Sequence, residues 1–334
     1  MNLEIILTGD RPTGKLHLGH YFGSLENRIE LQNNLKYNQY VMVADWQALT
    51  DNADNPTKVT NNIIEVVLDY LAVGICPQKT TIFLQSQIPE IAELTQYYLN
   101  LVSLGRLKRN PTIKNEMQQK NYGNNVPVGF LTYPISQAAD ITIFKANLVP
   151  AGADQIPIIE QTNEIIRKFN MIYQNIIPEV KILLSPQKRL CGIDGKTKMS
   201  KSLNNAIYLS DNNDIIKQKV MQMYTDSNHI NINDPGQIKG NTVFTFLDLF
   251  KEEQEKVLIL KEQYQKGGLG DVFIKKYLLE LLIALLEPIR TKREDLSKNL
   301  DYIKNILKTG SNKARSVAIN NIKEIRNTIG IMQF

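Results

Sequence analysis

Apolar and polar positions along the first half of the chain follow two alternating rhythms. Short β-rich runs, EIILT from residue 4, QYVMVAD from 39 and TTIFLQS from 80, are each followed by a stretch with helical spacing, over 18–36, 56–73 and 89–104. That alternation predicts parallel strands joined by crossover helices. A later run, NLVPAG from 147, precedes another helical pattern over 153–170, where Ile156, Ile159, Asn163, Ile166 and Phe169 recur on nearly one face, and it reads as a further βα unit.

After about residue 210 the strand-like runs stop, and helical periodicity continues through 242–265, 269–287, 292–307 and 312–329. Pro288 is expected to limit the apolar helix before it. Ser311 is expected to N-cap a last helix carrying Ala314, Val317, Ala318, Ile322, Ile325 and Ile329. The expected fold class is α/β: a Rossmann-like parallel-sheet domain over 1–209 with an all-helical second domain over 210–310. A C-terminal helix over 311–334 is expected to pack back toward the first domain.

With 334 residues and 43% hydrophobic content the chain can bury a large core, and two domains suit its length. No stretch approaches the roughly 18–20 apolar residues of a membrane span, and MNLEIILTGD lacks the basic start and long apolar run of a signal peptide, so a cytoplasmic protein is expected. Two cysteines, Cys76 and Cys191, make neither a disulfide framework nor a Cys-rich site, so no protein-bound zinc or iron–sulfur cluster is expected. The formal charge of +5 is compatible with a polyanionic partner but far from that of a dedicated nucleic-acid-binding domain.

The segment LTGDRPTGKLHLGH, residues 7–20, fits the start of a P-loop through Gly9, Gly14 and Lys15. A P-loop needs consecutive backbone N–H groups and a hydroxyl for magnesium after the lysine. Pro12 has no N–H, and Leu16 stands where the hydroxyl belongs. The stronger signal is HLGH: His17 and His20 project from one side of a helix start, where free N–H groups and the helix dipole favour phosphate. Gly19 between them lets a flat purine approach the backbone. Two histidines alone leave a capping pair equally open.

The segment LCGIDGKTKMSKSLNNAI, residues 190–207, breaks the tie. Gly192 and Gly195 mark a mobile loop, which carries Lys196, Lys198 and Lys201 beside the hydroxyls of Ser200 and Ser202. Together with HLGH, KMSKS resembles the signature of the class I aminoacyl-tRNA synthetases. MVADWQALTD at 42–51, GFLTYPISQAADI at 129–141 and LVPAGADQIPIIEQTNEIIRKFN at 148–170 are similar to the corresponding parts of the bacterial tryptophanyl-tRNA synthetase family. GNTVFTFLDLF and GGLGDVFIKKYL extend the resemblance into the helical domain.

This resemblance implies a catalytic domain over 1–209, an anticodon-binding domain over 210–310 and a homodimer. Its partners would be L-tryptophan, ATP and tRNA(Trp), with Mg2+ bound through the ATP phosphates. It places ATP against Arg11, His17, Gly19, His20, Asp154, Lys198, Met199, Ser200 and Lys201, with Lys198, Lys201, His17 and His20 as the catalytic groups. It places tryptophan against Gly9, Trp46, Tyr133, Gln137, Asp140 and Gln155. Tyr133 and Gln155 would meet the amino group, and Asp140 would accept the indole N–H. His20, Gln137 and Trp46 depart from the family's commoner residues.

Two other readings use the same motifs. A tyrosyl-tRNA synthetase shares the chemistry, but SQAAD and VPAGADQ argue against it. A small-molecule nucleotidyltransferase with H-x-G-H would not need the helical domain.

Overall fold

In the computed structural model, which describes every residue except 1, 2, 121, 124, 185–189, 202, 333 and 334, the first apolar run forms strand β1 (Glu4–Asp10). Helix α1 (Leu18–His20), a π-helical turn (Tyr21–Leu25) and α2 (Glu26–Gln32) follow. Strand β2 (Tyr37–Val43) leads into α3 (Asp45–Leu49) and α4 (Pro56–Val73). Strand β3 (Thr80–Leu84) leads into a 3-10 turn (Gln85–Gln87), α5 (Pro89–Leu99), α6 (Leu104–Arg109), α7 (Pro111–Gln119) and α8 (Val128–Thr142). Strand β4 (Leu148–Ala151) precedes α9 (Ile156–Ile172) and β5 (Lys181–Leu184). Then come α10 (Asn213–Met221), α11 (Thr242–Leu247), α12 (Gln254–Lys266), α13 (Asp271–Ser297) and α14 (Leu300–Ile329).

The chain forms two compact units. One comprises Met1–Gly14, Glu26–Pro186 and Asn299–Phe334, and the other Lys15–Leu25 and Gln187–Lys298. The sequence boundaries at 209 and 310 follow element type. Compactness divides the chain at 186 and 298 instead and assigns residues 15–25 to the second unit.

The first unit holds the expected Rossmann-like sheet, five parallel strands in the order β3-β2-β1-β4-β5. Strands covered on both faces read as continuous apolar runs, as Ile6 and Leu7 of β1 and Tyr40 to Val43 of β2 do, all buried. The strand order reverses between β1 and β4, and in open α/β sheets ligands bind outside the strand C-termini at such a point. Asp140, Thr142 and Gln85 are polar yet fully buried in this unit.

Helix α14 packs along the edge strand β3. Gly310 makes this possible, because a Cβ there would meet the Ile82 carbonyl oxygen at 1.9 Å. At the next residue, the Leu84 N–H donates to Ser311 Oγ at 3.1 Å. Ser311 is thus inside a helix that starts at Leu300, and the cap is Asn299, whose side chain accepts from the Tyr302 N–H. The sequence expectation of a helix beginning at 311 fails because the serine hydroxyl serves a strand edge.

In the second unit, α13 continues through Pro288, which does not end it. An interior proline removes one backbone hydrogen bond. The apolar face spans it with Leu282, Leu286 and Ile289 all buried, so packing holds both sides. Among the described residues, no helix is long and apolar enough to cross a membrane.

Candidate active site

In the second unit the HLGH segment pairs through its backbone with residues 207–209, just downstream of KMSKS. Leu18 N–H donates to Ile207 O at 2.9 Å and Leu209 N–H to Leu16 O at 3.0 Å, with an antiparallel bridge between His17 and Tyr208. His17 is the N-cap of α1. Its Nδ1 accepts from the Gly19 N–H at 3.1 Å, and His20 Nδ1 accepts from the His17 N–H at 3.2 Å. The capping arrangement is therefore real, and it fixes the tautomers: with Nδ1 accepting, each neutral ring carries its proton on Nε2. Both histidines keep Nε2–H as a donor, the polarity a phosphate oxygen needs. A Cβ on Gly19 would sit 2.9 Å from His17 Cε1, so any larger residue would displace the imidazole.

The KMSKS segment forms one side of a hairpin. Gly192 N–H donates to Thr197 O, Met199 N–H to Leu190 O, and Cys191 and Lys198 form an antiparallel bridge. Gly195 turns it at φ 68°, a left-handed conformation open to glycine. Asn205 clamps the far side. Its Oδ1 accepts from the Ser200 N–H at 2.8 Å, while Nδ2 donates to Lys198 O at 3.1 Å and Thr197 Oγ1 at 2.9 Å. A Cβ on Gly192 would overlap this carboxamide at 2.1 Å. Met199 is buried between the two anchored residues, with its Sδ 3.3 Å from the Gly19 N. Lys198 is exposed, Lys201 and Ser200 are half-buried, and Ser202 lies outside the described residues.

The first unit carries the other residues singled out by the sequence. Gly9 is the penultimate residue of β1, where a Cβ would meet the Met42 carbonyl oxygen at 2.4 Å. Arg11 follows the strand and pairs with Asp51 at 2.7 Å, and Asp51 also holds Lys120 at 2.6 Å. Trp46, half-buried on α3 just past β2, packs against the main core. Tyr133, Gln137 and Asp140 lie on α8, which packs against α5 and α9. Gln137 Nε2 reaches Gln155 Oε1 at 3.5 Å, so the structure joins two of the expected tryptophan contacts. Asp154 stands exposed on the turn before α9. Burial raises the Tyr133 phenol well above its ordinary range, and a hydrogen bond to the Glu116 carboxylate adds to this.

Asp140 is the most constrained of these groups. It is fully buried, and its Oδ1 accepts from Gln85 Nε2 at 2.8 Å. Its Oδ2 has no hydrogen-bond partner in the fold. Burial pushes its pKa up to about 7; the Gln85 hydrogen bond opposes the rise and the Asp45 charge adds to it. A buried carboxylate oxygen left unsatisfied is costly, which makes it a place where a ligand's N–H would be favoured.

Sequence reasoning missed Gln85, Asn205, Glu116 and the cluster at the end of β1 in which buried Arg28 and Tyr70 meet half-buried Asp10. There Arg28, 2% exposed, donates to Asp10 Oδ2 at 2.6 Å, and the Tyr70 hydroxyl donates to the same oxygen at 2.7 Å. The arginine lies on α2 and ties it to the strand end that bears Gly9.

Comparison with known proteins agrees with this geometry. The model of the family described as tRNA synthetases class I (W and Y) matches residues 3–287. The chain is 60% identical to the tryptophan–tRNA ligase of Clostridium longisporum, covering all of this chain and 99% of that protein. It is 56% identical to the tryptophan–tRNA ligase of Streptococcus mutans, with both chains covered in full. The crystal structure of tryptophanyl-tRNA synthetase from Campylobacter jejuni complexed with ADP and tryptophan superposes with a TM-score of 0.84 at 31% identity, over 98% of this chain and all of that one. Parallel sheet, paired signatures and full-length similarity lead to one assignment: the chain belongs to the class I tRNA synthetases of the tryptophan and tyrosine family.

Proposed function

We propose that the chain activates L-tryptophan with ATP to tryptophanyl adenylate and transfers the acyl group to tRNA(Trp). The observation that carries the tryptophan reading is Asp140: a fully buried carboxylate with one oxygen held by Gln85 and the other without a partner. An indole N–H is a donor of the right kind for that oxygen, and a bond to a charged acceptor is worth about 1.5–3 kcal/mol. A phenol could also donate, but full-length similarity to tryptophan ligases favours the indole.

In this reading Gly9, Trp46, Gln137 and Asp140 receive the indole, and Tyr133 and Gln155 the ammonium group. Arg11, Asp154, His17, Gly19, His20, Lys198, Met199, Ser200 and Lys201 receive ATP, which brings Mg2+ on its phosphates. The tryptophan carboxylate oxygen attacks the α-phosphorus, the bond to the bridging oxygen breaks, and pyrophosphate departs with that electron pair. No protein nucleophile takes part, so rate comes from alignment and from cations where charge develops. His17 and His20 would donate from Nε2 to phosphate oxygens, and the Lys198 and Lys201 ammonium groups would take the growing charge of the leaving group. The terminal adenosine hydroxyl of the tRNA then attacks the acyl carbon, releasing AMP.

We further propose that residues 210–310 bind the anticodon, that the chain is cytoplasmic and that it works as a homodimer; light scattering tests the dimer directly. Amino-acid-dependent ATP–pyrophosphate exchange with all twenty amino acids tests the central reading. Tryptophan alone should support rapid exchange. Preference for tyrosine would make the chain a tyrosine enzyme, and amino-acid-independent exchange would make it a small-molecule nucleotidyltransferase.

A further inference from the structure

Gln85 follows β3 directly and is fully buried. Its carboxamide bridges two elements: Oε1 accepts from the Gln47 backbone N–H on α3 at 3.1 Å, and Nε2 donates to Asp140 Oδ1 on α8 at 2.8 Å. The orientation of the amide is not free. A backbone N–H can only donate, so the end facing Gln47 must be the oxygen, and the NH2 is thereby forced toward Asp140. The next residue adds a second tie, as the Ser86 N–H donates to Asp45 Oδ1 at 2.9 Å. Gln85 is thus held by the first turn of α3, the helix that also carries Trp46.

With Oδ1 occupied by a donor, any proton that Asp140 binds must sit on Oδ2. Protonation would convert the unpartnered oxygen from an acceptor into a donor and turn it against an N–H. We propose that Gln85 is a specificity-determining positioning residue, which holds Asp140 by one oxygen and keeps the other an acceptor for the substrate's ring N–H. This rests on the reading of Asp140 as the group that meets the indole.

The charged environment of Asp140 is simple. Asp45 on α3 acts on it with like charge. The acids of α5, which packs along α8, are engaged elsewhere, Glu90 with Arg315 and Glu93 with Arg326. Glu164 of α9 is bound by Arg106 of α6. The Gln85 hydrogen bond is therefore the main influence that favours the ionised form against burial. Removing it raises the pH at which Asp140 becomes an acceptor.

The test measures kcat/KM for tryptophan in ATP–pyrophosphate exchange between about pH 6 and 9.5 on the full chain and on Gln85→Met, Gln85→Glu and Asp140→Asn. Gln85→Met keeps the length without the donor. Gln85→Glu keeps the acceptor for Gln47 but sets a second carboxyl against Asp140, so that the pair shares a proton. Each should lower kcat/KM for tryptophan at neutral pH by about tenfold or more and move the acid limb up by about one unit or more. Activity should recover at high pH, and KM for ATP should stay within about twofold. Recovery at high pH is the feature a packing defect cannot produce. A loss that does not depend on pH, or no loss in either variant, overturns the role of Gln85. Asp140→Asn separates the two levels of inference: if it leaves the acid limb and the tryptophan preference unchanged, the reading of Asp140 itself is wrong. If it abolishes the limb while the Gln85 variants do not shift it, only the proposal for Gln85 fails.

Discussion

Gly310 of α14 lies against the backbone of Ile82 in the edge strand β3, so closely that a Cβ would stand 1.9 Å from the carbonyl oxygen. On helix propensity alone, Gly310→Ala would gain about 1 kcal/mol. The overlap is with backbone, which cannot swing aside, and forced overpacking costs about 1–3 kcal/mol or more. Gly310→Ala should therefore destabilise the protein, with a lower urea midpoint. A higher midpoint would mean that the helix can back off the strand without loss.

Asp140 should give tryptophan activation an acid limb. With its pKa pushed up to about 7, kcat/KM should rise with pH through that value, because kcat/KM reports the free enzyme. Bound indole favours the ionised form, so kcat should show the limb at lower pH. Asp140→Ala should reduce kcat/KM for tryptophan by roughly tenfold to a few hundredfold while phenylalanine activation holds or rises. An unchanged preference ratio in a folded variant would remove Asp140 from substrate recognition.

The same side chain makes stability depend on pH. Its folded pKa is raised from 3.8 to about 7, so the favourable burial of the neutral form is complete below the unfolded pKa and is lost as pH rises through about 7. Asp140→Asn is neutral throughout. It should match the parent near pH 4 and exceed it near pH 9 by up to about 4 kcal/mol, read by urea denaturation. Equal curves at both values would show that the carboxylate finds compensation elsewhere.

Asn205 holds the backbone on both sides of Met199, at Lys198 O and at the Ser200 N–H. Lys198→Ala or Lys201→Ala should slow adenylate formation by about 10²-fold or more with tryptophan affinity nearly unchanged, the pattern of an interaction made in the transition state. Pre-steady-state adenylate formation and equilibrium dialysis would measure the two quantities. Rates within twofold of the parent would exclude both lysines from the chemical step.

Trp46 is the sole tryptophan and sits half-buried on the helix that follows β2. Its fluorescence should change when a non-fluorescent tryptophan analogue and ATP are added. A flat response under conditions where calorimetry detects binding would place the indole away from the ligand.

The sheet was readable where burial is symmetrical. Strands β1, β2 and β3 are apolar runs because both faces are covered, and α4 announces itself through Asn55 as cap, Pro56 in its first turn and Gly74 in the left-handed terminal position. Strand β5 escaped notice because it is a short sheet edge with Lys181 and Leu184 exposed. Pro288 and Ser311 carry local stop and start signals that tertiary contacts override. The signature residues were legible through their spacing and family resemblance. Gln85 and Asn205 were not, because their meaning lies in partners the sequence does not point to. Asn204 and Asn205 are chemically identical neighbours, yet one is exposed at φ 49° and the other is buried among Lys198, Ser200 and Thr197.

The return of α14 to β3 has a consequence for how the protein is made. A chain synthesised from its N-terminus at roughly 5–20 residues per second exposes β3 for roughly ten to forty seconds before the helix that covers it leaves the ribosome. During that interval the outer rim of the sheet is an open template for another nascent strand. Ribosome-bound chains arrested before Leu300 should therefore recruit chaperones and cross-link to one another through this rim, while full-length chains tethered to the ribosome by an added C-terminal linker long enough to free the last helix should not.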